Sequence, residues 1–188
     1  MALWDNAAAI LDDWIELSNA SAQAGDSLIL TLTQRARLLI LGAQQGKLLI
    51  GDSADIPNNT TTLATVTGLS TLLLANQTYA FSVDFSYITS ATSVGLQMST
   101  AFTGVTTSVW FGLDGGTGAA AYTNIVATTH GTKVGPTSTG PGGTSRTERF
   151  KGVLVTGASG GTFSIQFAAG TTGSATVRAR SALWIARV

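Results

Sequence analysis

From residue 27 onward, large apolar residues recur at every second position, in short runs separated by small and polar residues. The clearest run places Tyr79, Phe81, Val83, Phe85 and Tyr87 on one face and Ala80, Ser82, Asp84 and Ser86 on the other. An extended chain turns successive side chains to opposite sides, so this alternation predicts a strand with one face in a core. Shorter versions follow in Val94, Leu96 and Met98; in Val109 and Phe111; in Phe163, Ile165 and Phe167; and in Leu183 and Ile185. Near the start of the region, Leu28, Leu30 and Leu32 alternate with Ile29, Thr31 and Thr33. A helix over 28–49 competes there, because Leu and Gln are good helix formers, but Thr31, Thr33, Gly42 and Gly46 oppose it. The near-duplicate runs 38–42 and 47–51, joined by 43–46, predict a hairpin. Many short strands between glycine-containing turns predict an all-β sandwich or closed barrel.

Residues 4–17 break this period. Trp4, Ala7, Ala8, Leu11, Trp14 and Ile15 recur at intervals of three and four, with Asp12, Asp13 and Glu16 off that stripe. The spacing predicts an amphipathic helix whose apolar side needs a partner, either its own domain or another subunit. Small residues over 19–25 read as a linker. The predicted organisation is an N-terminal helical arm and linker over 1–26 and a β-sandwich domain over 27–188. Residues 112–145 hold nine glycines with Pro136 and Pro141, and are expected to form a long loop of functional or mobile character.

Composition sharpens the picture. Charged residues are only 11% of the 188, against 44% hydrophobic, well under half the charge of an ordinary soluble surface. Ser, Thr and Gly serve as the polar partners instead, which suits strands and turns with much surface held against neighbours. With no cysteine, neither disulfides nor thiolate metal sites contribute. The apolar runs 38–41 and 72–75 are too short to span a bilayer and the start of the chain is acidic, so neither a membrane span nor a secretion signal is predicted. Net charge is zero but unevenly distributed. Asp5, Asp12, Asp13, Glu16 and Asp26 are the only charges before Arg35, whereas 146–188 carries Arg146, Arg149, Lys151, Arg178, Arg180 and Arg187 against Glu148. Both ends could simply be solvated; alternatively an acidic arm docks on a basic patch of a neighbour, as charge patterns set register and partner choice. Nucleic acid is not an expected partner, because a neutral chain lacking interleaved basic and aromatic residues has a weak footprint.

No catalytic constellation emerges, and no cofactor or metal is expected. Gly157-Ala158-Ser159-Gly160-Gly161 fits the letters of a nucleophile elbow, but that motif needs a helix after the turn and a histidine after the serine. Strand-like segments flank this one, and the sole histidine, His130, precedes it. A hairpin turn with glycines at positive φ is the expectation. His130 cannot build a zinc site alone and is expected on an exposed loop. Asp52 and Asp55 lack the rest of a calcium loop, and 115–118 lacks the Lys-Ser/Thr of a phosphate loop. Trp110 and Tyr122 flank the long loop; stacking on a sugar is conceivable chemistry for them, but core packing is the expected use. The Asn-x-Ser/Thr triplets at Asn19, Asn58, Asn59 and Asn76 read as Thr-rich loop composition.

Three stretches carry a resemblance. Thr62-Leu63-Ala64-Thr65-Val66-Thr67-Gly68-Leu69-Ser70, then Leu74-Ala75-Asn76-Gln77-Thr78-Tyr79-Ala80-Phe81, then Ser93-Val94-Gly95-Leu96 resemble a module of tailed-phage virion proteins, found on capsid decoration proteins, head fibres and tail fibres. The closing segments 150–156, 160–168 and 176–188 agree, although Arg180 stands where that family more often has Gly. The resemblance covers about residues 60–188. It implies a jelly-roll-like sandwich, often a homotrimer, in a virion made in the host cytoplasm, with no family active site to carry over. The expected function is that of a capsid decoration, or cement, protein bound to the major capsid protein or another virion protein and to copies of itself. Trp4, Leu11, Asp12, Asp13, Trp14, Ile15, Arg178 and Arg180 are the candidate assembly contacts. The competing expectation is a head-fibre or tail-fibre tip that binds a host-surface sugar or protein.

Overall fold

The structure, a computed structural model, describes residues 46–114 and 126–188. The predicted helical arm with Trp4, Leu11, Asp12, Asp13, Trp14 and Ile15, the strands expected over 28–41, and Tyr122 all lie outside the described residues. Within them the chain is all-β. The strands are β1 (Lys47–Ile50), β2 (Ile56–Asn58), β3 (Ala64–Leu73), β4 (Thr78–Thr89), β5 (Leu96–Phe102), β6 (Thr106–Asp114), β7 (Val126–Ala127), β8 (Arg146–Thr156), β9 (Gly161–Ala169), β10 (Ala175–Val177) and β11 (Ala182–Arg187).

They form two antiparallel sheets packed as a sandwich. The large sheet runs β1-β11-β4-β8-β6-β7, with β10 pairing the far end of β4 and β2 pairing β10. The small sheet runs β3-β9-β5. Four of the pairs enclose one another in the sequence: β1 with β11, β2 with β10, β3 with β9 and β4 with β8. Pro57 sits in β2, whose one strand partner among the described residues is β10; a residue with no N–H to donate is tolerated at such an edge.

β4 is the spine, because its expected alternation holds along the whole strand. Tyr79, Phe81, Val83, Phe85 and Tyr87 are all buried, while Asp84 on the other face is exposed. Phe81 meets Phe150 of β8 at 5.8 Å between ring centroids and reaches across to Phe163 of β9 at 5.0 Å, tying the sheets together. Phe111 of β6 stacks edge-on against Phe150 at 5.5 Å. Aromatic pairs in such tilted arrangements add about 0.5–1.5 kcal/mol each beyond the area they bury. Space for the rings comes from Gly152, which lies between Phe81 and Phe111 in the register. A Cβ there would stand 2.7 Å from Phe81 and 2.3 Å from the Trp110 carbonyl oxygen.

The small sheet departs from strict alternation at one place. In β3, Val66 and Leu69 are both buried, three residues apart, and the register with β9 shifts between Thr65 and Ser70. Gly68, with φ 85°, makes that irregularity, which carries the strand close to Ile50 and Gly51. Asn58 is also structural and not a surface triplet. It is buried and donates its amide to the carbonyls of Thr62 and Phe167, while its Oδ1 accepts from the N–H of Thr60.

Two expectations about turns are corrected. The 157–160 segment is not a hairpin, because β8 belongs to the large sheet and β9 to the small one; it is a crossover at one end of the sandwich. Nor do its glycines take positive φ. They are small because the crossover is tight: a Cβ on Gly157 would stand 2.6 Å from Val105, and one on Gly160 2.4 Å from the carbonyl oxygen of Leu73. The stretch expected to be loop from Gly112 begins as strand, with Gly112–Asp114 inside β6. The described remainder past β7 is a strap of irregular backbone fastened along the free edge of β5. Met98 and Val134 exchange both main-chain hydrogen bonds, at 2.8 and 2.9 Å, and the N–H of Gly95 and Gly131 donate to Thr137 and Thr100. A covered edge cannot pair with a foreign strand, and the fully buried Val134 anchors the cover.

Candidate assembly surface

The strand registers fix which residues share the outer face of the large sheet. One cross-strand row runs Leu48, Trp184, Ser82, Lys151, Gly112, Val126; the next toward one end runs Ala186, Ala80, Val153, Trp110; the next toward the other runs Ile50, Ala182, Asp84, Arg149, Asp114. Apolar side chains therefore gather in two lobes. Leu48, Ile50 and Trp184 form one on β1 and β11, and Trp110, Val126 and Val153 form the other on β6, β7 and β8. Trp110 is 46% exposed and Trp184 45%, with Leu48, Ile50 and Val126 more open still. Core packing was the expectation for Trp110; the structure instead turns it outward, because the inward positions of β6 belong to Val109 and Phe111.

Toward the Asp84 end of β4, β8 and β6 lies a charged stripe of two acids and two bases. Arg149 donates to Asp84 at 2.7 Å and Lys151 to Asp114 at 2.6 Å. The hydrogen bond and charge of Lys151 hold the Asp114 carboxyl below its ordinary pKa, and Asp84 raises that of Arg149 by the same two means. The stripe is thus internally neutralised and fixed across β4, β8 and β6.

At the end of the face near Asp84, the chain passes from β10 to β11 through the predicted contacts Arg178 and Arg180. Arg178 pairs with Asp55 at 2.8 Å, and Asp55 also accepts from the N–H of Ala179 at 2.9 Å. The carboxylate considered for calcium is thereby committed to an arginine and a main-chain amide. Arg180 is exposed and takes φ 64°, its N–H donating to the carbonyl of Asp52.

His130 corrects the expectation of an exposed loop residue. It is half-buried near the start of the strap, with Nδ1 2.8 Å from the hydroxyl of Thr100 on β5 and Nε2 3.1 Å from that of Thr106 on β6. Burial pushes its pKa below the ordinary value, against an opposing main-chain hydrogen bond at Thr100. A ring between two hydroxyls pins the strap. Ser159 likewise uses its hydroxyl to accept from the N–H of Val105 in the crossover. One buried ion pair stands apart from these: the Glu148 carboxylate, inside the sandwich, accepts from Tyr87 at 3.1 Å and lies 3.4 Å from Arg146. Period-two reading predicts an apolar residue at that inward position and gives no signal of the pair.

No protein-family model matches the chain, and no curated protein matches it. Among solved structures, the Eiger TNF from S. frugiperda is similar over 77% of this chain and 92% of its own, at 8% identity and a TM-score of 0.42. The structure of the infectious bursal disease virus Gx strain aligns over 76% of this chain and 40% of that one, at 11% identity and a TM-score of 0.27. The VP2 subviral particle of infectious bursal disease virus aligns over 77% and 42%, at 14% identity and a TM-score of 0.25. The chain thus spans about two-fifths of the two viral chains, and at these scores none of the three likenesses bears on what it does.

Proposed function

We propose that this chain is a non-enzymatic structural subunit of a bacteriophage particle: a capsid decoration protein that binds the outer surface of the head and stiffens the shell through many subunit contacts. The observation that carries the reading is the outer face of the large sheet, where large apolar side chains stand exposed in a chain with little charge anywhere to keep it apart from neighbours. Monomeric proteins seldom gather large exposed apolar side chains on one sheet face unless something covers them. The nested pairing of β1 with β11, β3 with β9 and β4 with β8 supports a jelly-roll winding, which the resemblance to phage virion modules implies. That resemblance also gains backbone support. Gly68 and Asn76, in its first two phrases, take φ 85° and 54°, values that favour those residue types. In this reading the arm over 1–26, with Trp4, Leu11, Trp14 and Ile15 as its apolar contacts and Asp12 and Asp13 as its charged ones, ties the sandwich to the major capsid protein.

The second reading, a head-fibre or tail-fibre tip for a host-surface sugar or protein, draws on the outward Trp110, since an exposed indole is a stacking platform. Copy number separates the two. A decoration protein is present in purified virions in proportion to the capsid lattice, whereas a fibre component is present in a few copies set by its vertex or tail. Quantitative mass spectrometry of the virion is the measurement, and a count far below that of the capsid protein refutes the decoration reading. Deleting residues 1–17 is expected to abolish attachment to the particle while leaving a folded β domain; undiminished attachment of the truncated chain refutes the role given to the arm.

A further inference from the structure

We infer that the outer face of the large sheet is the surface through which copies of this chain bind one another. This deepens the proposed structural role by naming the occupant of that face. Three observations favour a second copy over any other partner.

The first is size. Six strands at about 4.8 Å spacing set the two lobes across roughly 25 Å, about the width of a patch that buries 800 Å² per partner, so a protein surface covers both lobes and a small ligand does not. The second is charge. The charged stripe holds as many acids as bases and pairs them within the face, so a like copy meets no net charge. A strongly basic or acidic partner gains nothing there. The third is the layout. The apolar surface forms two lobes near opposite edges of one sheet, centred on Trp184 and Trp110, and not one central patch. In a head-to-tail contact, the Trp184 lobe of one copy covers the Trp110 lobe of the next. Such a contact closes into a ring when the rotation permits. Each lobe is anchored by a tryptophan, the residue type that most often dominates interface energetics.

The test is sedimentation of the purified full chain, wild type and variants, without capsid. Wild type is expected to sediment as an oligomer at micromolar concentration. Trp184→Ser and Trp110→Ser are each expected to shift it toward monomer, with far-UV circular dichroism unchanged. Leu72→Ser, which removes an even more exposed apolar side chain from the small sheet, is expected to leave the oligomer intact. Mixing the two tryptophan variants restores one intact contact per pair, so dimers form where neither variant alone makes them. A monomeric wild type overturns the inference, as does an oligomer that survives the double variant Trp110→Ser/Trp184→Ser. Particle binding keeps this failure distinct from failure of the decoration role. A monomer that binds virions, and loses binding in the double variant, gives the face to the capsid and leaves decoration standing. An oligomer broken by the tryptophan variants that never binds virions removes decoration and leaves the interface standing.

Discussion

Arg180 offers a test in which the sign of the effect runs against intuition: replacing this exposed arginine with glycine should stabilise the fold. The residue takes φ 64°, in the left-handed region, because the chain must turn sharply from β10 into β11 while its N–H donates to the carbonyl of Asp52 at 2.9 Å. Holding an L-residue there costs roughly 1–2 kcal/mol through contact between Cβ and the following carbonyl. Glycine removes that cost but brings a more mobile unfolded chain, which takes back roughly 0.5–1 kcal/mol. The difference is about 0.5–1 kcal/mol in favour of Arg180→Gly, or about 1–4 °C in the thermal midpoint for a chain of this length.

A series of variants separates backbone from side chain. Arg180→Asn is expected to recover part of the gain, because Asn tolerates the left-handed region. Arg180→Lys keeps both the strain and the charge and should leave the midpoint where it is. Arg180→Val is expected to lose about another 1 kcal/mol, since a β-branched residue is poorly accommodated there. Urea unfolding followed by tryptophan fluorescence reads these differences as midpoint shifts at constant slope. If Arg180→Gly destabilises the chain, or if Lys and Gly behave alike, the reasoning from backbone strain is wrong. Particle attachment adds a second readout. A glycine variant that is more stable yet attaches poorly assigns the guanidinium to assembly, where glycine at this turn in the resembled family could not act.

Gly152→Ala is expected to destabilise by about 1–3 kcal/mol, the usual range for overpacking, because the added Cβ meets the Trp110 carbonyl and the Phe81 ring. Chemical denaturation checks this, and a neutral result means that β6 and β8 are less closely packed than described. His130 predicts a pH effect. Its folded-state pKa lies below the ordinary 6.5, so protonation favours the unfolded chain; the stability it contributes is complete above about pH 6.5 and is lost as pH falls through the lowered value. Both hydroxyl partners can accept from a protonated ring, so desolvation, not a broken hydrogen bond, sets the sign. Thermal midpoints of wild type and His130→Gln at pH 7.5 and 5.5 are the measurement; the wild type should fall more than the variant, and equal falls refute the assignment.

How legible this fold is depends on what period-two order encodes. Alternation in 79–87, 163–167 and 183–185 specifies which face of a strand is buried, and each of those faces is buried in the structure. It does not specify the neighbouring strand. The 157–160 segment therefore read as a hairpin, although it carries the chain from one sheet to the other. Glycines show the same limit. Their letters at 157, 160 and 161 suit a turn with positive φ, whereas what they satisfy is close approach between elements far apart in sequence. The strap past β7 lacks any hydrophobic period because main-chain hydrogen bonds, the His130 ring and one apolar anchor, Val134, hold it, and main-chain bonds leave no mark on residue type.

The surface was harder to foresee than the core, and for a related reason. In β11 the outward residue Trp184 lies between the buried Leu183 and Ile185, and in β6 Trp110 lies between the buried Val109 and Phe111. Where apolar residues occupy both faces of a strand, the pattern cannot say which face meets the core and which meets a neighbour. A strand interior to one molecule and a strand shared between two have the same requirement, apolar side chains on both sides, and only the arrangement of the strands tells them apart. That ambiguity falls on the proposed assembly surface itself. The segments with apolar residues on both faces, 47–50, 109–111 and 182–186, supply Leu48, Ile50, Trp110 and Trp184 of the two lobes, so in the proposed interface unbroken hydrophobicity in a solvent-facing sheet is the sequence trace of a contact completed by another chain.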